Sequence, residues 1–312
     1  MKRREYLTAA ACAAALPLGA AEEKKAPNVI LIVTDDMGNQ CGCYGDPQAR
    51  TPNIDRLARE GTLFEVAYCA QPSCSPSRSA MITGIYPHAN GQVGLTVSGY
   101  AVHDGTPCLV DWLRAAGYDL RSTGKLHMNP HGFPDFDFAT PVGSDNARMV
   151  TIADRYRQQA GDKPFFIWYA YVDPHTPFED QRNGFPAHPR GAEDVTAWDF
   201  LGGIDDPALR KEVAGYYNEV ERADAGIGLL LERLETRGVL DETMIIVTGD
   251  QGPGFIRSKP YLYDAGIRVP LVIRWPKGVK AGQRRAEPVS AVDIAPTIPD
   301  FNIARRRARI PL

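Results

Sequence analysis

Four apolar runs rich in β-branched and aromatic residues recur along the chain, and each is long enough to form a strand. They are Asn28–Thr34, Phe165–Val172, Met244–Thr248 and Pro270–Arg274. Continuous apolar runs of this length are typical of strands buried on both faces of a sheet. A shorter candidate strand covers Tyr118–Ser122.

Helical patterns lie between these runs, at Ile54–Glu60, Leu109–Ala116 and Pro207–Arg237. Gly238 is suited to end the last of these helices. Strands separated by helices predict an α/β fold with a largely parallel sheet. Proline-rich stretches at residues 129–145 and 174–206 predict long surface loops, which are common beside a functional site.

The composition is that of an ordinary globular protein. Of the 312 residues, 44 % are hydrophobic and 23 % are charged, and the formal net charge is −3. This excludes a disordered chain, a fibre and a coiled coil, and it argues against nucleic-acid binding as the main role. No apolar run after the N-terminus approaches the ~20 residues of a membrane span.

The N-terminus has the pattern of an export signal. A basic start, Lys2–Arg4, precedes an apolar segment, Ala9–Leu18, so residues 1–21 are predicted to be a signal peptide. Residues 3–7 resemble a twin-arginine signal, and a general secretory signal is the alternative. We therefore predict an exported protein, periplasmic or extracellular. Four of the later cysteines are interpreted as small buried residues, namely Cys41, Cys43, Cys69 and Cys108.

Polar side chains follow the strands at the edge where open α/β sheets bind ligands. The residues concerned are Asp35, Asp36, Lys125, His127, Asp173, His175, Asp250 and Gln251. Each alone is also typical of a solvated turn or a structural histidine, but together they predict one site. Asp35, Asp36 and Asp250 supply three carboxylates and Gln251 an amide oxygen, and crowded oxygen ligands favour Ca²⁺ or Mg²⁺.

Cys74 is a candidate nucleophile. It precedes a predicted short helix in which Pro76 suits the first position and Gly84 the end. The positive end of that helix and Arg78, one turn later, predict an acidic and reactive thiol. The alternative is a buried structural cysteine at a loop–helix junction.

The run Cys74–Arg78, followed by Thr83 and Gly84, resembles the signature of the type I sulfatases. Further segments resemble that family in the same order, from about residue 27 to about residue 298: Pro27–Asp36, Thr51–Ala58, Gly124–His127, Asp173–His175, Thr248–Gly252 and Tyr263–Pro270. Within the family, Phe136–Phe138 and Gly252–Tyr263 look most like heparan N-sulfatases (sulfamidases).

The resemblance implies an alkaline-phosphatase-like α/β/α sandwich with a large, mostly parallel central sheet. Residues 22–298 are then expected to be the catalytic domain. The smaller C-terminal domain of the family is expected to be missing, and residues 299–312 look like an atypical basic tail of a truncated or frame-shifted product. A nucleic-acid-binding tail is the competing interpretation. An exposed apolar face on the core is the hypothesis that follows from truncation.

The resemblance also implies roles for individual residues. The metal ligands are expected to be Asp35, Asp36, Asp250, Gln251 and a formylglycine made from Cys74, with Gln251 replacing the more common Asn or His. Arg78 is expected to hold the formylglycine. Lys125 and His127 are expected near its hydrate and the sulfate, and His175 is the expected proton donor to the leaving group. Lys259 is expected to contact sulfate, the alternative being a solvated loop lysine.

The implied activity is hydrolysis of a sulfuric ester or sulfamate, releasing sulfate from a sulfated carbohydrate. It implies Ca²⁺, with Mg²⁺ as an alternative, and a maturation enzyme that oxidises Cys74. A phosphodiester or phosphonate hydrolase of the same superfamily is one alternative function. An inactive sulfatase remnant that only binds sulfated glycans is another.

Overall fold

The computed structural model describes residues 26–143 and 145–301. Ten strands are present among these residues: β1 Asn28–Thr34, β2 Thr62–Phe64, β3 Ala67–Tyr68, β4 Asp119–Gly124, β5 Phe138–Thr140, β6 Phe165–Ala170, β7 Thr243–Gly249, β8 Leu271–Arg274, β9 Gln283–Arg285 and β10 Val289–Ser290. All five predicted strands are therefore confirmed, with ends that differ by a few residues. The predicted signal peptide lies outside the described residues.

Eight α-helices connect these strands: α1 Pro52–Glu60, α2 Cys74–Thr83, α3 Pro87–Asn90, α4 Leu109–Ala115, α5 Asn146–Ala160, α6 Pro207–Thr236, α7 Asp264–Ile267 and α8 Ile294–Phe301. The predicted helices correspond to α1, α2, α4 and α6, and α2 begins at Cys74 itself, with Pro76 in its first turn. Gly238 follows α6 with φ of +64°, as expected of a residue that ends a helix. No described helix combines the length and apolar character needed to cross a bilayer.

Eight strands form one central sheet in the order β5-β4-β6-β1-β7-β8-β2-β9. From β5 to β7 every neighbouring pair is parallel. Strand β8 runs antiparallel to both β7 and β2, and β9 is parallel to β2. The prediction of a mostly parallel sheet is confirmed, although the last predicted strand, β8, is antiparallel to both of its neighbours.

The sheet is covered on both faces, because successive side chains of a strand point to opposite sides. In β1, Ile30 and Ile32 pack in the core that includes residues of α1, α5 and α6. Val29, Leu31 and Val33 pack in the core that includes residues of α2, α4 and α8. The α/β/α sandwich implied by the resemblance is therefore observed.

Two helices differ from the sequence-based expectations. Helix α5 was not predicted, although Met149, Val150, Ala153 and Tyr156 are buried at helical spacing and Asp145 caps its first turn. Helix α8 continues past residue 298, the boundary predicted for the catalytic domain, and ends at Phe301. The rest of the predicted basic tail lies outside the described residues.

Candidate active site and metal centre

The carboxyl ends of four parallel strands meet at one edge of the sheet. Thr34 of β1 pairs with Gly249 of β7, and Gly124 of β4 pairs with Ala170 of β6. The residues that follow these strands are therefore close neighbours. The structure brings together these ten of the residues that the sequence nominates: Asp35, Asp36, Cys74, Arg78, Lys125, His127, His175, Asp250, Gln251 and Lys259.

Two glycines allow the backbone to pass close beside this edge. Gly124, with φ of +86°, precedes Lys125, and a Cβ there would lie 1.7 Å from the carbonyl oxygen of Ala170. Gly252 follows Gln251, and its Cβ would lie 1.7 Å from the carbonyl oxygen of Ala265. A side chain at either position would force these turns apart.

Three carboxylates form the floor of the site. Asp35, Asp36 and Asp250 are at most 1 % exposed. The Asp36 backbone has φ of 62°, and its N–H donates to Asp250 Oδ1 at 3.0 Å. The Asp250 N–H donates to the carbonyl oxygen of Thr34, also at 3.0 Å, so hydrogen bonds join the turns after β1 and β7.

Cys74 is the first residue of α2, with Ser73 at the N-cap position. Its side chain is 2 % exposed, and its Sγ lies 3.4 Å from Asp35 Oδ1. Gln251 Nε2 and Lys259 Nζ each lie 3.2 Å from the same sulfur. The candidate nucleophile is therefore enclosed by a carboxylate, an amide and an ammonium group.

The expectation of an acidic thiol at Cys74 is wrong. Burial, followed by the charges of Asp250 and Asp35, raises its pKa to about 12. Arg78 does not offset these effects, because its Nε donates to Asp250 Oδ2 at 2.7 Å. The polar surroundings of Cys74 therefore disfavour a thiolate rather than stabilise one.

Arg78 connects the ends of several strands. It is fully buried, and besides its bond to Asp250 its Nη1 donates to the carbonyl oxygen of Lys125 at 2.8 Å. Its Nη2 lies 3.8 Å from Asp35 Oδ1. These contacts join the ends of β1, β4 and β7.

Two lysines neutralise the carboxylates. Lys125 Nζ donates to Asp35 Oδ2. Lys259 Nζ donates to Asp36 Oδ1 at 2.6 Å and Oδ2 at 2.9 Å. Burial lowers the pKa of Lys259, but the charge of Asp36 and its hydrogen bond to the ammonium group raise that pKa overall. Lys259 therefore faces the site and is not a solvated loop lysine.

The two histidines differ in their surroundings. His175 is one-third exposed, its Nδ1 lies 2.6 Å from the carbonyl oxygen of Thr176, and its Nε2 lies 3.9 Å from Asp36 Oδ2. His127 is more enclosed, and its Nδ1 has no hydrogen-bond partner among the described residues. Burial, then the charges of Lys125 and Arg78, lowers its pKa to about 4, so it is neutral at neutral pH.

The buried carboxylates lie close enough together to share a divalent cation. Oxygens of Asp35 and Asp36 lie within 4.8 Å of each other, of the Cys74 sulfur and of a ring nitrogen of His175. Burial and mutual repulsion raise the pKa of Asp36, and raise that of Asp250 to about 7. The pKa of Asp35 is lowered, because Arg78 and Lys125 outweigh the effect of its burial. A bound cation would relieve this repulsion among buried carboxylates.

The amide of Gln251 supports the same interpretation. Its Oε1 is buried and has no hydrogen-bond partner within the described ranges, while its Nε2 donates to Asp36 Oδ1. An unsatisfied buried oxygen is costly unless a ligand occupies it. The two carboxylate oxygens of Asp250, in contrast, already accept hydrogen bonds, one from the Asp36 N–H and one from Arg78.

One buried charged group beside the site is not predicted by the sequence patterns. Arg222 of α6 pairs with Asp173 and Glu219. All three side chains are at most 3 % exposed. A signal is present in the sequence, because Glu219 and Arg222 lie among the apolar positions of a long helix. The same spacing is also typical of an exposed ion pair.

The sulfatase family model matches residues 27–301. The chain belongs to the sulfatase family. It is 34 % identical over 321 aligned positions to human N-sulphoglucosamine sulphohydrolase, an alignment that covers 94 % of this chain and 64 % of the human protein. This agrees with the predicted resemblance to the heparan N-sulfatases. The chain thus spans less than two thirds of the length of that relative.

Solved structures share the fold. The crystal structure of Ps i-CgsB in complex with k-i-k-neocarrahexaose superposes with a TM-score of 0.75 at 27 % identity, over 92 % of this chain and 73 % of that chain. The phosphonate monoester hydrolase of Agrobacterium radiobacter has a TM-score of 0.70 at 22 % identity, over 88 % and 73 % of the two chains. The second likeness concerns the fold alone.

Proposed function

We propose that this chain is the catalytic part of a sulfatase that releases sulfate from the sulfate ester or sulfamate of a carbohydrate. The observation that carries the proposal is the environment of Cys74. Its sulfur lies 3.2 Å from Lys259 Nζ and 3.4 Å from an Asp35 oxygen, at the start of a helix and within a carboxylate cluster. A nucleophile, an anion-binding lysine and cation ligands thus meet at one point.

A Ca²⁺ ion, with Mg²⁺ as the alternative, fits the oxygens of Asp35, Asp36, Asp250 and Gln251 together with the group at position 74. The formylglycine proposed at Cys74 and the ion would together supply an activated hydroxyl as the attacking nucleophile. The thiol itself is poorly suited to this role, since burial and neighbouring carboxylates raise its pKa to about 12.

Other side chains of the site would stabilise charge and transfer protons. Lys125 and Lys259 place two positive charges beside the nucleophile, where they would offset the charge on the sulfate oxygens. His175 has a partly exposed ring whose Nε2 faces the site, and it would donate a proton to the leaving oxygen or nitrogen. His127 is neutral at neutral pH and would accept a proton when sulfate departs. Arg78 keeps the strand ends aligned.

The names of the relatives support a sulfated carbohydrate as the substrate class. One relative is named a sulphoglucosamine sulphohydrolase, and another, from Formosa agariphila, an ulvan-active sulfatase at 26 % identity. We infer a sulfated carbohydrate as the substrate, a formylglycine-generating or anaerobic maturation enzyme as a partner, and export to the periplasm or beyond. A phosphodiester or phosphonate is the second candidate substrate, because its hydrolysis would use the same cation ligands and the same nucleophile.

Mass spectrometry of the tryptic peptide of residues 60–78 tests the modification. The peptide is taken from protein produced together with a formylglycine-generating enzyme. It contains both Cys69 and Cys74, so the first thiol is an internal control. We expect a loss of about 18 Da at Cys74 alone, the change from a thiol to an aldehyde. An unmodified Cys74 would contradict the proposal.

Turnover separates the candidate functions. We expect the matured chain to hydrolyse 4-nitrophenyl sulfate faster than 4-nitrophenyl phosphate or phenylphosphonate esters. Cys74→Ala should lower the sulfate rate by roughly four orders of magnitude, because the nucleophile is removed. Faster turnover of the phosphorus esters favours the second candidate. Binding of sulfated glycans without any turnover identifies an inactive remnant.

A further inference from the structure

The segment that carries His175 is irregular and partly exposed, yet a buried ion group lies at its base. Thr176 and Pro177 are exposed, and no strand or helix includes residues 173–179. Under this segment, Arg222 of α6 is 1 % exposed, and Asp173 and Glu219 are each 2 % exposed. The mechanism proposed above uses none of these three residues.

Arg222 holds the start of the segment at two points. Its Nε donates to Asp173 Oδ2 at 2.7 Å, and its Nη2 donates to Asp173 Oδ1 at 3.1 Å. Such a paired contact fixes orientation as well as distance, because both groups are planar and rigid. The carbonyl oxygen of Asp173 also accepts from the N–H of Asp35 at 3.1 Å, so this end is joined to the carboxylate floor.

The same helix holds the other end of the segment. Arg222 Nη1 donates to the carbonyl oxygen of Glu179 at 3.3 Å. Glu219 Oε1 accepts from the Glu179 N–H at 2.9 Å and lies 2.8 Å from Arg222 Nη2. Helix α6 therefore fixes both ends of a seven-residue stretch, and His175 lies between them.

The burial of this group argues for a role beyond stability. Two carboxylates and a guanidinium are costly to remove from water, and apolar residues of similar volume often stabilise a core equally well. Burial and the charge of Asp173 raise the pKa of Glu219 to about 7, which shows that the arrangement is not electrostatically ideal. What the group supplies is a defined position for the backbone on either side of His175.

We propose that Arg222 is a positioning residue for His175. By holding Asp173 and Glu179 at once, it fixes the imidazole so that Nε2 faces the site near Asp36, where the leaving atom departs. The inference rests on the proposed function, in which His175 protonates the leaving group. A proton donor must lie within hydrogen-bond reach of its acceptor, so a displacement of about 1 Å is enough to impair the transfer.

The test uses the full chain, matured at Cys74, and a series of aryl sulfates. A nitrophenolate leaves without protonation, whereas an unsubstituted or alkyl-substituted phenol needs a proton donor. We expect Arg222→Met to lower kcat about 100-fold for the poor leaving groups and less than about 3-fold for 4-nitrophenyl sulfate. His175→Ala should show the same dependence, and the double variant should lose no more than either single variant.

Arg222→Lys is the second variant, because it keeps the buried positive charge and so provides a test if the Met variant fails to fold. The lysine ammonium group lacks the planar pair of N–H donors with which Arg222 binds both oxygens of Asp173. It also cannot reach the carbonyl oxygen of Glu179 at the same time. The same leaving-group dependence is therefore expected. An equal loss for all aryl sulfates in the Arg222 variants, or additive losses in the double variant, would overturn the proposal.

Arg190→Met is the matched control. Arg190 belongs to the same long loop region, its Nε lies 2.7 Å from Glu221 Oε1 on α6, and its side chain is only 5 % exposed. It does not adjoin His175 in the sequence. Any loss in this variant should be equal across the substrates. A leaving-group dependence in Arg190→Met equal to that of Arg222→Met would also overturn the proposal.

Hydrogen exchange separates failure of this proposal from failure of the proposed function. Amide exchange over residues 173–179 is measured by mass spectrometry. It should be at least about 10-fold faster in both Arg222 variants than in the parent chain or in Arg190→Met. Unchanged exchange overturns the positioning role even if sulfate esters are hydrolysed. If the parent chain hydrolyses no sulfate ester, the proposed function fails, and the exchange data alone support or overturn the fixing of this segment.

Discussion

The two ends of strand β7 both carry ion pairs, but the pairs differ in burial and in their unsatisfied atoms. At the carboxyl end, Asp250 pairs with Arg78, and both side chains are fully buried. At the amino end, Asp241 pairs with Arg274, and Asp241 is 72 % exposed. Arg274 also pairs with Glu60, at 3.0 Å, in an otherwise solvated network.

The difference indicates which end is built for a ligand. At the amino end, Arg274 is buried but bonds to Glu60 and Asp241, and these two carboxylates interact with water, so no further partner is required. At the carboxyl end, Gln251 Oε1 and His127 Nδ1 are buried and have no hydrogen-bond partner in the part of the chain that the structure describes. Native cores rarely retain such atoms. The carboxyl end therefore has polar atoms that are available to bind a cation and an anionic substrate.

The largest effect that would test this contrast is loss of the buried arginine. Arg78→Met leaves Asp250 uncompensated at a fully buried position. We expect the free energy of unfolding to fall by about 3–5 kcal/mol, as is typical when one partner of a buried pair is removed. Urea denaturation measures this change. A loss below about 1 kcal/mol would mean that the two ends of β7 do not differ as described.

A divalent cation should stabilise the carboxyl end by a smaller amount. At about 100 times its dissociation constant, Ca²⁺ is expected to add about 2.7 kcal/mol, seen as a rise in Tm that EDTA reverses. Asp36→Asn should weaken this response, whereas Asp241→Asn, at the opposite end of β7, should leave it intact. An equal Ca²⁺-dependent rise in Tm in both variants would mean that the ion binds elsewhere than at the carboxyl end of β7.

His127 should make stability depend on pH. Its pKa is lowered from 6.5 to about 4 in the folded state, so between these values the unfolded chain binds the extra proton. This contribution to stability is present above about pH 6.5 and is lost as the pH falls towards 4. His127→Gln should flatten the slope of the unfolding free energy in that window. An identical slope in the variant would contradict the assignment.

The smallest effect is expected at the amino end of the strand. Arg56 is one-third exposed and contacts Glu60 at 2.7 Å on the same helix. Removing an exposed pair of this kind costs about 0–1 kcal/mol. We therefore expect Arg56→Met to unfold nearly as the parent chain does in the same urea titration. A loss as large as that of Arg78→Met would remove the contrast between the two ends.

The same contrast explains what the sequence predicts well. The strands β1 and β7 are continuous apolar runs, so their burial on both faces is encoded locally. The edge at which Asp35 and Asp250 meet then follows from parallel pairing. The order of the sequence motifs indicates the sulfatase family, and the resemblance to that family implies the expected role of Lys259.

Pairings between distant segments are what the sequence does not reveal. Arg78 is four residues from Cys74, which predicts an acidified thiol, but it bonds to Asp250, 172 residues away. Glu219 and Arg222 have the spacing of an exposed helical pair, and their burial depends on the contact with Asp173. Helix α5 shows a milder case, since its apolar spacing is present but lies between two irregular loops.

The enclosure of Cys74 also imposes an order on events in the cell. Its sulfur is 2 % exposed, and its neighbours Asp35, Gln251 and Lys259 come from segments 39, 177 and 185 residues away. This enclosure exists only after β1 and β7 have paired. An enzyme that oxidises Cys74 would have to reach it while the chain is still unfolded. Maturation would then be a step of biosynthesis completed before folding, and a chain that folds first would stay permanently unmodified.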